Sequence, residues 1–251
     1  IDGNTKPNHV LEAQLYDGDS PISNVGFLMS QPNFGVAGFE SEMLLELDPK
    51  KIERWDINNP KLYQLRFRLV DGDSEDEEAI DELTCSLGFR EISFKNNKFH
   101  VNGRPLYLKM TLYQGYFTKG LWTAPTDEMF KRDLELNKEM GYNGMRLHQI
   151  VADPRMLYWA DKLGVIVWGE ISNAFGSDAR AKDNHLKEWS EIVRRDRCHP
   201  SITMWTPLNE SWGTGPLNRE DNQQWLRSVY YWTKSMDPTR PVNTNDGWEN
   251  P

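Results

Sequence analysis

The sequence predicts an antiparallel β-sandwich of immunoglobulin-like size over residues 1–92, then strands and helices over 93–251 that alternate as the βα units of a parallel sheet or barrel. Two observations carry this. From His9 to Phe94 the apolar residues recur every second position: Leu11, Ala13 and Leu15 alternate with Glu12 and Gln14, and Tyr63, Leu65, Phe67 and Leu69 alternate with Gln64, Arg66 and Arg68. That is the period of a strand with one buried face. Beyond Arg90 the period changes, and short apolar runs separate helical ones at spacings of roughly 20 to 40 residues.

In the first half, turn clusters such as "DGDS" and "NNP" cut about ninety residues into several short strands. The acidic run "DGDSEDEEAIDE", Asp71 to Glu82, places carboxylates at several calcium-loop positions. Asp76 stands where that loop needs glycine, so the run reads as a solvated hairpin loop.

In the second half, two short strands surround "KNNK" and "NGRP". "TDEMFKRDLELNKEMG" reads as a helix capped by Thr126 and stopped at Gly141. "DPRMLYWADKLG" reads as a second, with Asp153 as cap, Pro154 in the first turn and Gly164 as its stop. Further helices are expected over 184–197 and 218–236. The runs "PLYLKM", "YNGMRL", "VIVWGEI", "ITMWTPLNE" and "PVNTN" are short and apolar enough for strands buried on both faces.

The 251 residues suffice for one large domain or two smaller ones. The longest apolar run, "LGVIVWG" from Leu163 to Gly169, is far short of the ~18 residues of a membrane span, so no membrane insertion is expected. A formal charge of -9 argues against nucleic acid, whose affinity rests on neutralising phosphates. Cys85 and Cys198 show no spacing that suggests a disulfide framework or a zinc site. Ten tryptophans make a carbohydrate partner worth testing, because flat aromatic faces suit the apolar faces of sugars. Trp122, Trp212 and Trp248, near loops, are the expected sugar platforms. Trp159, Trp189, Trp225 and Trp232, in helices, are expected in the core.

In a βα barrel, chemistry is built at the C-terminal ends of the strands. Gln114 follows the first expected strand, Arg146, His148 and Gln149 the second, Glu170 the third, Asn209 and Glu210 the fourth, Asn245 and Asp246 the fifth. Taken singly, each has an ordinary explanation: Arg146 and Glu170 as a buried ion pair, His148 as a satisfied core histidine, Glu210 as a carboxylate at a helix start. Five successive strand ends with polar groups argue instead for a site, with Glu210 its best proton donor.

The stretches "WDINNPKLYQLRFRL", "LGFREISFKNNKFHVNGRPLYLKM", "GYNGMRLH", "DPRMLYWADKLGVIVWGE" and "RDRCHPSITMWTPLNES" resemble glycoside hydrolase family 2, the group of β-galactosidases, β-mannosidases and β-glucuronidases. The resemblance runs through nearly the whole chain. It implies an immunoglobulin-like domain followed by a (β/α)8 TIM barrel, and retaining, β-galactosidase-like hydrolysis of terminal β-linked sugars. Glu210 then corresponds to the general acid/base, Asn209 to the residue that binds the sugar's 2-hydroxyl, and Arg146 to the arginine near the nucleophile. His148, Gln149, Glu170, Trp212, Asp246 and Trp248 are the expected substrate-binding residues.

The departures from the family pattern are informative. Retention needs a second carboxylate ~5–5.5 Å from the first, which in the family ends the seventh strand. These residues reach only the fifth, so the sequence reads as the central portion of a longer enzyme, with its nucleophile and remaining domains elsewhere. Glu170 or Asp246 could be proposed as a substitute from the sequence alone, but the resemblance gives neither that role. Gln149 stands where the better-known β-galactosidases carry a histidine, and Ala174 where they carry a magnesium-binding carboxylate. Magnesium or sodium serves parts of the family, but the ligand positions are not matched and no cofactor is expected. "TLYQGYF" replaces an Asn-Arg-His-Glu run, which bears on substrate choice. Two other readings stay open: a non-catalytic carbohydrate-binding or scaffold protein on a decayed barrel, and an unrelated barrel hydrolase pairing Glu210 with Glu170. Sugar, linkage, compartment and any homo-oligomer are likewise open.

Overall fold

The computed structural model describes residues 8–29, 43–73 and 78–247. The chain forms two compact units, Ile1–Glu53 with Leu62–Leu87 and Arg54–Lys61 with Gly88–Pro251. In the first, β1 (His9–Asp17), β2 (Ser20–Pro21), β3 (Gly26–Met29), β4 (Tyr63–Asp71) and β5 (Asp81–Leu87) make one antiparallel sheet in the order β2-β1-β4-β5, with β3 also paired to β1. The alternation sets its register. Leu11 faces Leu69, Ala13 faces Phe67 and Leu15 faces Leu65, while Glu12 faces Arg68 and Gln14 faces Arg66. Among the described residues this unit is a single sheet, without the second layer of the expected sandwich. Asp76 lies outside the described residues. At the start of the acidic run, Asp71 and Asp73 both accept from the Asn8 amide, at 2.5 and 3.0 Å.

The second unit takes in Arg54–Lys61 for a physical reason. Trp55 has no exposed surface, and its Nε1 donates to the Asp161 carbonyl at 2.8 Å. Gly164 has φ 68°, and a Cβ there would lie 2.6 Å from the Ile57 carbonyl oxygen. One glycine thus ends a helix and lets this segment pack on it.

β6 (Ile92–Lys95), β7 (Lys98–Val101) and β8 (Arg104–Pro105) form an antiparallel meander. Its turns, Asn96-Asn97 and Asn102-Gly103, have both central residues at positive φ, as two-residue hairpins require. Then β9 (Met110–Tyr113), α1 (Asp127–Glu139), β10 (Gly144–Leu147), α2 (Pro154–Leu163), β11 (Ile166–Glu170), α3 (Ala179–Asp196) and β12 (Ile202–Thr206) alternate, and the strands pair in parallel in the order β12-β11-β10-β9. β13 (Leu208–Asn209), α4 (Glu220–Met236) and β14 (Asn245–Asp246) follow, with β13 parallel to β14.

Several elements differ from those the sequence predicts. The first barrel strand is Met110–Tyr113, not "PLYLKM": Pro105 pairs with His100, Leu106 N–H donates to Phe99, and Asn143 Nδ2 donates to the Tyr107 carbonyl. These groups are taken before the parallel ladder begins. The fifth strand is not continuous over "PVNTN"; Val242 bridges to Trp205, and β14 pairs separately with β13. Pro207, with no N–H, separates the two pieces on the facing strand. α3 begins five residues before the expected start, because Asp178 caps the Ala181 N–H at 2.8 Å. Thr126 precedes α1 but makes no side-chain cap bond, whereas Asp153 caps α2 as expected.

The core lies between the parallel strands and their helices, centred on Leu134, Leu147, Leu157, Val167, Trp189 and Trp205. Trp189 and Trp205 meet edge to face at 5.6 Å. Where β12 begins, Arg240 donates to the carbonyls of His199 and Ile202 and pairs with Asp237, which also accepts from Trp205 Nε1 at 2.8 Å. Both charged residues are buried, and their remaining polar atoms are satisfied.

Candidate active site

Arg146 is the hub of the opposite pole. It is the third residue of the four-residue β10, so its guanidinium leaves near the strand's C-terminal end. Nε donates to Glu170 Oε2 at 3.0 Å, a second nitrogen donates to Asn209 Oδ1, and the third contacts an Asp246 carboxylate oxygen. Glu170, Asn209 and Asp246 are the last residues of β11, β13 and β14. One guanidinium therefore ties together three strand ends, all called from sequence.

Glu170 is 1% exposed. Oε1 accepts the Gln149 backbone N–H at 2.9 Å, so both oxygens are engaged. Burial pushes its carboxyl above the usual carboxylate range, against the opposing pull of Arg146 and the Gln149 N–H. Gln149 enters the cluster through its backbone, at φ 56°, and its carbonyl accepts from Ser172 Oγ at 2.8 Å. His148 Nδ1 lies 3.0 Å from Gln114 Nε2. Burial, then the Arg146 charge, lower the histidine pKa against the opposite pull of Glu210 and Asp246, so the imidazole is neutral at pH 7 and within electrostatic reach of both carboxylates.

Asn209 is 1% exposed, with Oδ1 on Arg146 and Nδ2 without a hydrogen-bond partner among the described residues. Glu210 follows it at φ 52°, and its N–H donates to the Asp246 carbonyl at 2.7 Å. Asp246 also accepts from Asn243 Nδ2 at 2.7 Å. Trp212 is 56% exposed and Trp122 71%, the latter edge-on to Tyr116. Trp248 lies outside the described residues. Trp189 is core as expected, but Trp232 is 42% exposed, with Nε1 tied to Ser190 Oγ.

Asn173 was not among the sequence candidates. Its Nδ2 donates to the Asn209 carbonyl and its Oδ1 accepts the Asn209 N–H, both at 3.3 Å. The available signal was its place three residues after Glu170, in the same strand-end loop. The adjacent residues do not fit a divalent cation: Ala174 offers a methyl group and packs beside Gly213. Among the described residues, no three His, Cys, Asp or Glu side chains converge as a metal set.

The model of the TIM barrel domain of glycosyl hydrolases family 2 matches residues 92–250, more than half of the chain. The chain belongs to that family. A β-galactosidase of Alteromonas mediterranea is 26% identical over 93% of this chain and 22% of its own length. A putative β-glucuronidase of Formosa agariphila is 29% identical over 84% of this chain and 20% of its own. The crystal structure of a family 2 member from Bacteroides cellulosilyticus superposes with a TM-score of 0.76 at 26% identity, over 93% of this chain and 31% of that one. The chain thus spans about a fifth of the length of the curated relatives it matches, and β9 to β14 are strands of the family's TIM barrel domain.

Proposed function

We propose that the chain supplies the acid/base portion of a retaining β-glycoside hydrolase, β-galactosidase-like in substrate class. The observation that carries this is the Nδ2 of Asn209, which has no hydrogen-bond partner among the described residues. Arg146 fixes the amide by its oxygen, so a buried donor is held next to Glu210. An unsatisfied buried donor costs about 1–3 kcal/mol, which a sugar hydroxyl would offset on binding. Asn209 is thereby suited to the 2-hydroxyl, a contact that strengthens as the oxocarbenium-like transition state forms.

Glu210 would protonate the glycosidic oxygen as the bond to the anomeric carbon breaks and a second carboxylate attacks that carbon. It would then take a proton from the water that releases the sugar. The engaged oxygens of Glu170 and the ion pair of Asp246 favour positioning roles for both and a nucleophile outside these 251 residues. His148 and the exposed face of Trp212 remain available to the sugar. The family membership and the antiparallel order β2-β1-β4-β5 support reading the first unit as part of an immunoglobulin-like domain.

The test compares Asn209→Ala with the wild type in the enzyme bearing its whole barrel, on a β-galactoside and its 2-deoxy analogue. The variant should lose about 10- to 100-fold in kcat/KM on the parent sugar and little on the 2-deoxy sugar. Equal losses on both would remove the 2-hydroxyl assignment. Binding of sugar without turnover by the wild type would favour a carbohydrate-binding protein instead.

A further inference from the structure

Glu210 and Ser211 are consecutive non-glycine residues in left-handed conformation, at φ 52° and 62°. L-residues adopt it rarely, and it persists where the surroundings over-determine it. Here the constraint can be traced. The Ser211 N–H donates to Asn245 Oδ1 at 2.7 Å, and Asn245 Nδ2 donates to Ser211 Oγ at 3.1 Å. Asn245 itself is 1% exposed. The Glu210 N–H is held by the Asp246 carbonyl at 2.7 Å, and Trp212 N–H and Thr214 Oγ1 close the turn onto Asn209 and Ser211. Gly247 completes the socket, since a Cβ there would lie 3.3 Å from both Cα and Cγ of Glu210.

We propose that Asn245 is the positioning residue for Glu210, a role that rests on the acid/base reading above. It need touch no substrate. Its amide offers an acceptor to the Ser211 backbone and a donor to the Ser211 hydroxyl, so a single side chain holds residue 211 and thereby the residue before it. Without that grip the pair can relax to the ordinary φ of about −60°, a rotation of more than 100° that swings the Glu210 side chain off its line. An aspartate at 245 would keep the acceptor and lose the donor; an alanine would lose both.

The experiment uses Asn245→Ala and Asn245→Asp in the enzyme bearing its whole barrel. Asn245→Ala should cut hydrolysis of an alkyl β-galactoside about 10- to 100-fold, a fraction of the ~100- to 10,000-fold worth of acid/base assistance. The initial burst from a dinitrophenyl β-galactoside, which needs no proton, should stay within a few-fold, and added azide should raise turnover. Asn245→Asp should lose less. If alanine at this position prevents folding, Asn245→Asp and Ser211→Ala carry the same comparison. Equal loss on both substrates with no azide effect, or no loss at all, would overturn the proposal. If the wild type cleaves no β-glycoside, the proposed function fails separately, and the crystal structure of Asn245→Ala decides the inference: Glu210 still near φ 52° overturns it, and a relaxed φ supports it.

Discussion

Arg146 Nε donates to Glu170 Oε2 at 3.0 Å across two adjacent parallel strands, and the Glu170 side chain has no exposed surface. On the proposed function, the pair is expected to set the acid side of the pH profile. Burial raises the Glu170 pKa, so as pH falls the carboxylate takes its proton earlier than an ordinary glutamate of pKa ~4.3 and Arg146 loses a charged partner. Because a raised carboxyl binds its proton more tightly folded than unfolded, ionising it lowers stability as pH rises through the folded pKa. Glu170→Gln should lower kcat/KM and move the acid limb to lower pH. An unmoved limb in the pH–rate profile would assign it elsewhere.

The same engagement predicts what these 251 residues do alone. With Glu170 and Asp246 both committed to Arg146, the isolated chain should release no nitrophenol from nitrophenyl β-galactoside, β-mannoside or β-glucuronide. Turnover abolished by Glu170→Gln or Asp246→Asn would place the nucleophile among these residues.

A third prediction concerns the pole where β12 begins. Burial raises the Asp237 pKa, but the Arg240 charge and the bonds from Thr239, Trp205 and Arg240 outweigh it and hold the carboxyl at about 2. Against an unfolded value of ~3.9, this contributes about 2.5 kcal/mol. A depressed carboxylate contributes fully above the unfolded pKa and loses its contribution as pH falls through the folded one. Asp237→Asn should therefore be destabilised at pH 7 by about 3–5 kcal/mol, the range for a broken buried pair. Urea unfolding of both proteins should show that gap narrowing between about pH 4 and pH 2. A gap independent of pH would mean the ion pair adds nothing.

How far the sequence reaches is clear from particular residues. The strand ends were legible because Arg146, Glu170, Asn209 and Asp246 lie at or near the ends of short apolar runs, and the βα alternation puts those ends at one pole. α2 was legible in full, with Asp153, Pro154 and Gly164 all local signals. β9 was misplaced because its start is set by where Asn143 and Phe99 take backbone groups, a tertiary fact. The discontinuity of the fifth strand follows from Pro207 on the facing strand, which no reading of "PVNTN" contains. Asn173 and the grip of Asn245 on Ser211 depend on loops meeting across 36 and 34 residues, beyond the reach of periodicity.

The central claim is that Glu210 moves the proton in both steps of a retaining reaction, and its most direct measurement is leaving-group dependence in Glu210→Gln. On alkyl β-galactosides, whose departure needs a proton, the enzyme bearing its whole barrel should lose about 100- to 10,000-fold. On aryl β-galactosides with acidic phenols the glycosylation burst should be nearly unchanged, steady-state turnover should be slow, and azide should restore it by forming a β-galactosyl azide. A loss of the same size for every leaving group, with no azide product, would contradict the account.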